Sequence, residues 1–166
     1  MLKKTAILID GGFLKKKISP NSNPAIQAER IVGAAKLCLE PDEDLYRIFY
    51  YDCGAFDRTV TDLSGKAKDF KLTPQYQYQT SMLSHISKLD FVAVRLGLLS
   101  YRGWVLRSHV ARRVGRSGGS AAGISIRDFE PSFEQKGVDM RIGLDIALLA
   151  KIVSLGVVYE LGCLIR

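Results

Sequence analysis

Four aspartates have the type and setting to do chemistry. Asp10 closes a short apolar run, Ala6-Ile7-Leu8-Ile9, and is followed at once by Gly11 and Gly12. Such a run reads as a buried strand that delivers an acid to the carboxyl edge of a sheet, where ligands bind in open α/β folds. The same residues are also ordinary strand-to-turn punctuation. Asp139 and Asp145 lie in a C-terminal segment of helical character. Six residues span about 600° of helix, so the two acids do not share a face if both are mid-helix. They come closer to one site if Asp139 starts the helix and Asp145 follows one to two turns in. Asp139 would also serve as an N-cap. Asp145 stands beside Ile142, Leu144, Ile146, Leu148 and Leu149, and an acid next to an apolar stripe needs a partner or a metal. Asp52 is a further candidate acid, or a turn residue before Gly54. Carboxylates gathered at one sheet edge would suit a hard cation, Mg²⁺ or Mn²⁺, able to activate water and clamp a phosphodiester.

A second group is basic. Arg102, Arg107, His109, Arg112, Arg113 and Arg116 cluster with Tyr101 and Trp104. Guanidinium groups bind phosphate bidentately and aromatic rings stack on unpaired bases. A solvated loop with Trp104 packed inward is the plainer alternative. The whole chain of 166 residues carries a net charge of +7, which favours a phosphate-bearing partner.

These residues need elements to hold them. Thr5 to Asp10 reads as the first strand and Phe13 to Lys17 as a short helix. Asn23 caps a helix over Ala25 to Leu39, with Pro24 at its first position. Leu45 to Cys53 is a second strand. Asp62 to Leu72 is weakly helical, Thr73 to Thr80 a polar loop, and Ser81 to Val94 helical. Leu96 to Leu106 reads as a strand, or a hairpin about Gly103. Arg107 to Gly123 turns from basic to glycine- and serine-rich and reads as an exposed, mobile loop. Gly123 to Phe129 is a short strand, Val138 to Lys151 a strong helix, and Ile152 to Ile165 opens another strand. The alternation predicts a single α/β domain over residues 1–166, with helices on a mainly parallel sheet.

Several classes are excluded. Cys38, Cys53 and Cys163 show no metal-ligand spacing. Their odd number and wide separation fit a reducing, cytoplasmic setting. The apolar run before Asp10 is too short for a signal-peptide core. The run from Ile142 to Val158 carries Asp145 and Lys151, and reads as core rather than a membrane span. His85 and His109 belong to no nucleophilic triad, and Gly11-Gly12 completes no dinucleotide or P-loop motif.

Taken together, the segments Ile9-Asp10-Gly11-Gly12-Phe13, Tyr50-Tyr51-Asp52 and Lys136-Gly137-Val138-Asp139, with Asp145 six residues on, resemble the NYN domain family in its LabA-like branch. The Lys-Gly-Val-Asp block is the specific part, and the likeness runs from Thr5 to about Ala150. The resemblance implies a PIN-like three-layer α/β/α sandwich and a metal-dependent ribonuclease acting on RNA, single-stranded above all. Asp10, Asp139 and Asp145 would then bind Mg²⁺ or Mn²⁺. Lys136 would touch phosphate or pair with an acid. Arg107, Arg112, Arg113, Arg116 and Trp104 would meet the substrate. The family continues into a further strand ending in an acidic turn, whereas this chain ends Tyr159-Glu160-Leu161-Gly162-Cys163-Leu164-Ile165-Arg166. That departure predicts a C-terminally incomplete sheet, weaker metal binding and an exposed edge that favours homo-oligomers. It also leaves a second expectation: an RNA-binding module that keeps the fold and has lost the chemistry.

Overall fold

The structure is a computed structural model that describes residues 2–116, 123–152 and 158–160. Two apolar strands form its centre. They are β1 (Lys3–Asp10) and β2 (Glu43–Cys53), which pair in parallel, Ile7 beside Ile48 and Asp10 beside Tyr51. Side chains alternate across a strand, so each strand feeds two cores. Ile7, Ile9, Ile48 and Tyr50 face one side, packed on α2 (Pro24–Lys36) and α3 (Pro74–Ile86) through Ala28, Ile31, Val32, Met82 and Ile86. Ala6, Leu8, Phe49, Tyr51 and Cys53 face the other, packed on α5 (Val138–Ile152) through Val138, Ile142 and Leu149. Burial on both faces is why these strands read as continuous apolar runs.

The main sheet has five strands in the order β6-β5-β2-β1-β7. β5 (Val92–Leu106) runs parallel to β2 and β7 (Val158–Glu160) parallel to β1, whereas β6 (Phe129–Lys136) runs antiparallel to β5. The fold is thus α/β, with a mainly parallel sheet and helices on both faces. The chain leaves β1 toward β2 by way of α2 on one face and returns to β7 by way of α5 on the other. The strand order therefore reverses at β1, the place where ligands sit in folds wound this way.

Beyond Gly97, β5 leaves the central sheet and pairs with β6 alone, Leu98 opposite Lys136 through to Leu106 opposite Phe129. The result is a two-stranded arm. Phe56, Phe70, Tyr101 and Phe133 join in a ring cluster along it, with centroids 5.1–5.9 Å apart. A small hairpin, β3 (Thr59–Thr61) with β4 (Ala67–Asp69), braces its flank, where the Trp104 indole Nε1 donates to the Thr61 carbonyl at 3.1 Å.

Several expectations are corrected. Thr73 to Thr80 is no loop: Thr73 caps α3, accepting from the Tyr76 amide at 3.3 Å, and Pro74 takes the first helical position. Residues 62–72 are not helical as a unit, since β4 and a single 3₁₀ turn at Phe70–Leu72 occupy them. Helix α3 stops at Ile86, well short of Val94, because β5 begins at Val92. Gly103 is not a hairpin tip but a bulge within β5, at φ +100°. The span from Arg107 to Gly123 is not all loop: Ser108–Arg116 forms α4, and residues 117–122 lie outside the described set. Gly123 to Phe129 is not a strand, because a 3₁₀ turn at Ile126–Asp128 leads into β6. Of the expected Ile152–Ile165 strand, Val158–Glu160 is strand, beside Ala6, Ile7 and Leu8 of β1, Ile152 ends α5, and residues 153–157 and 161–165 lie outside the described set. No helix among the described residues is long and apolar enough to cross a membrane.

Candidate functional site

Asp10 ends β1 and caps the short α1 (Gly11–Leu14), its Oδ1 accepting from the Phe13 amide at 3.1 Å. Gly11 is required by close packing. A Cβ there would lie 2.5 Å from the Tyr50 hydroxyl and 2.8 Å from the Tyr51 carbonyl oxygen. A Cβ at Gly12 would meet the Gln135 amide at 2.8 Å and the Asp10 carboxylate at 3.2 Å. The end of β6 therefore reaches over the end of β1.

The start of α5 is brought to the same edge. Gly137, at φ +79°, turns the chain from β6 into the helix. The junction lies against Gly97, where a Cβ would sit 2.6 Å from the Lys136 carbonyl oxygen and 2.8 Å from a Val138 methyl. Asp139, in the first turn of α5, is exposed at this edge, and Lys136 is exposed just before it. An acid in a first turn is favoured by the helix dipole.

Asp145 is engaged elsewhere. Its Oδ2 accepts from the Tyr51 hydroxyl at 2.7 Å and from Arg95 Nε at 3.1 Å. Arg95 lies beside Tyr51 in the sheet and stacks over Phe49 at 5.3 Å. The partner this acid needs is thus a cation on β5. Burial first, then the hydrogen bond to Asp145, raises the Tyr51 phenol well above its ordinary value.

Asp52 is almost completely buried, at 1% exposure, and both of its oxygens are occupied. Oδ1 accepts from the Cys53 amide at 2.8 Å. Oδ2 receives Lys15 Nζ at 2.5 Å, Gln79 Nε2 at 3.0 Å and the Tyr50 hydroxyl at 3.1 Å. Lys15 Nζ also donates to Gln79 Oε1 at 3.0 Å. Burial, the Asp52 charge and, more weakly, the Asp10 charge all push the Tyr50 phenol up. Among the described residues, no group of three or more His, Cys, Asp or Glu side chains stands together as a metal-ligand set.

Above this edge lies a cleft of about 660 Å³ between the arm and α3. Lys15 after α1, Asp52 at the end of β2 and Gln79 of α3 line it, together with Phe133 and Gln135 of the arm. Arg107 belongs to this cleft. Arg102 lies on β5 and pairs with Glu134 of β6, whereas His109, Arg112, Arg113 and Arg116 belong to α4, where they fall at helical spacing on one face. Together they line a shallow surface hollow of about 460 Å³. Trp104 faces the small hairpin, with Lys68 5.4 Å from its ring centre. The sequence offers Lys15, Lys16 and Lys17 only as an extension of the basic surface, and it does not mark the pairing of Lys15 with Asp52, nor Gln79 or Arg95. Lys15, Gln79 and Arg95 each pair with an acid distant in the chain, and no local pattern marks them.

Compared with protein-family models, with curated proteins and with solved structures, the chain finds no match in any of the three.

Proposed function

We propose that this chain is a PIN-like domain of the NYN type that binds single-stranded RNA and hydrolyses it with Mg²⁺ or Mn²⁺. The observation that carries this reading is that Asp10 and the Asp139 end of α5 share the carboxyl edge of the sheet, at the point where the strand order reverses. Mg²⁺ is commonly held through one or two carboxylates and keeps several waters. The donors fit that need: Asp10 spends one oxygen on a backbone amide, and Asp139 is exposed. The cation would supply an activated water and neutralise charge on the phosphate. The chain's own part is to hold the substrate, with the α4 arginines on the phosphates and Lys136 beside the acid edge. Asp145 enters as the residue that ties α5 to the sheet. The cytoplasm, where Cys38 and Cys53 stay as the free thiols seen here, is the proposed compartment.

The test is cleavage of labelled single-stranded RNA with Mn²⁺ or with EDTA. Cutting is expected with Mn²⁺ only, and is lost in Asp10→Asn and Asp139→Asn while both variants still bind RNA. A folded parent chain that binds RNA and never cuts it would sink the nuclease. That result would favour the second reading, an RNA-binding module. One observation already leans that way: Asp52 and Asp145 are each neutralised by an internal cation, Lys15 and Arg95.

A further inference from the structure

We propose that the cleft between the arm and α3 receives one unstacked nucleotide of the bound strand, its base against Tyr76 and its phosphate at Lys68 and Arg107. This rests on the RNA reading above and assigns that reading a recognition site in the cleft above the acid edge. A cavity of about 660 Å³ is of the size that encloses a small organic ligand. Its apolar wall is fixed in advance, because Phe70 and Phe133 meet edge to face at 5.5 Å and Phe56 closes on both. Tyr76, on α3, lines the same cleft and belongs to none of these ring pairs among the described residues. Single-stranded RNA is read in this way, by bases splayed out and stacked on aromatic side chains.

Polar groups divide by role. Gln79 is locked, its amide nitrogen on Asp52 and the Cys53 carbonyl and its oxygen on Lys15. Gln75 and Gln135, both exposed, remain to meet a base edge. The buried Asp52 does not repel an anion, because Lys15 cancels its charge. Lys68 and Arg107 outweigh Glu130, the other acid lining the cleft. Arg107 also immediately precedes α4, so phosphates held on the basic helix lead directly to the cleft.

The experiment follows backbone amide shifts of the isotope-labelled full chain during titration with UMP and, separately, with a single-stranded oligouridine. Both are expected to move the amides of Gln75 to Gln79 and of Phe133 to Gln135. Tyr76→Ala should weaken oligouridine binding roughly tenfold, and Tyr76→Phe should retain it. Arg107→Gln, at the exposed rim, should weaken it too and serves if Tyr76→Ala loses the fold. Oligouridine that binds yet shifts only α4 amides, or that ignores both substitutions, overturns the cleft while the RNA reading stands. UMP bound without oligouridine makes the cleft a site for free nucleotide and overturns the proposal and the RNA reading together. Binding of neither does the same.

Discussion

Asp10 and Asp145 carry the same charge and do opposite work. Asp10 caps a helix at a sheet edge, a role that asparagine fills equally well. Asp10→Asn therefore tests chemistry with little disturbance of the fold. Asp145 holds Arg95 and Tyr51, and Asp145→Asn leaves the guanidinium without its counter-charge. We expect a loss of about 1 kcal/mol, kept small because Arg95 is 41% exposed. Urea unfolding measures it, and a variant as stable as the parent would remove the structural role from Asp145. The sequence showed that an acid beside an apolar stripe must have a partner. It did not show which, because Arg95 lies 50 residues away and meets Asp145 only once β5 has docked. Lys15 was equally hidden. In the row Lys15-Lys16-Lys17, nothing local says which ammonium turns inward to Asp52.

Among elements, α2 and α3 begin with the same device, a capping side chain followed by proline. Asn23-Pro24 was legible because the helix after it has apolar residues at clear spacing. Thr73-Pro74 was obscured by the polar run Gln75 to Ser81, although Tyr78, Met82 and Ile86 follow at intervals of four and pack inward. β6 was hidden by Pro131, which argues against a central strand but is tolerated on an edge, where β6 lies. For α4, the basic composition was legible and its order was not. As a helix it displays His109, Arg112, Arg113 and Arg116 as one stripe. Arg112→Ala combined with Arg113→Ala should weaken RNA binding and lower the slope of log affinity against log salt by roughly 0.7 for each phosphate no longer neutralised. Fluorescence anisotropy over a range of salt concentrations reads that slope. An unchanged slope would take α4 out of the interface.

At the scale of the whole molecule, the α/β class was legible because alternating strand and helix patterns with buried parallel strands have few other solutions. The arm was not, since it depends on β5 continuing past the sheet that defines it. The two cores meet at β2, where Tyr50 is buried in one and Tyr51 in the other. Both phenols are raised in the folded state, by burial first and then by Asp52 and Asp145 respectively. A group with a raised folded value contributes stability in full below its unfolded value, here about 10, and loses it as pH climbs beyond. The thermal midpoint should therefore hold steady between about pH 7 and 9 and fall progressively above about 10. Tyr50→Phe should soften the fall. A midpoint indifferent to alkali would show that the two rings are not sealed in as described.

The arm also constrains how this chain can change length. Tyr101 faces Phe133 and Trp104 faces Pro131, three residues apart on β5 but two on β6. The surplus residue at Arg102–Gly103 is what returns both aromatics to one side, and only a backbone that tolerates φ +100° permits it cheaply. Insertions or deletions in pairs would lengthen or shorten the arm and keep its faces. A single-residue change would turn the inner rings out to water unless it brought a glycine of its own, so kindred chains should differ in this region by even steps, or by one residue together with a glycine.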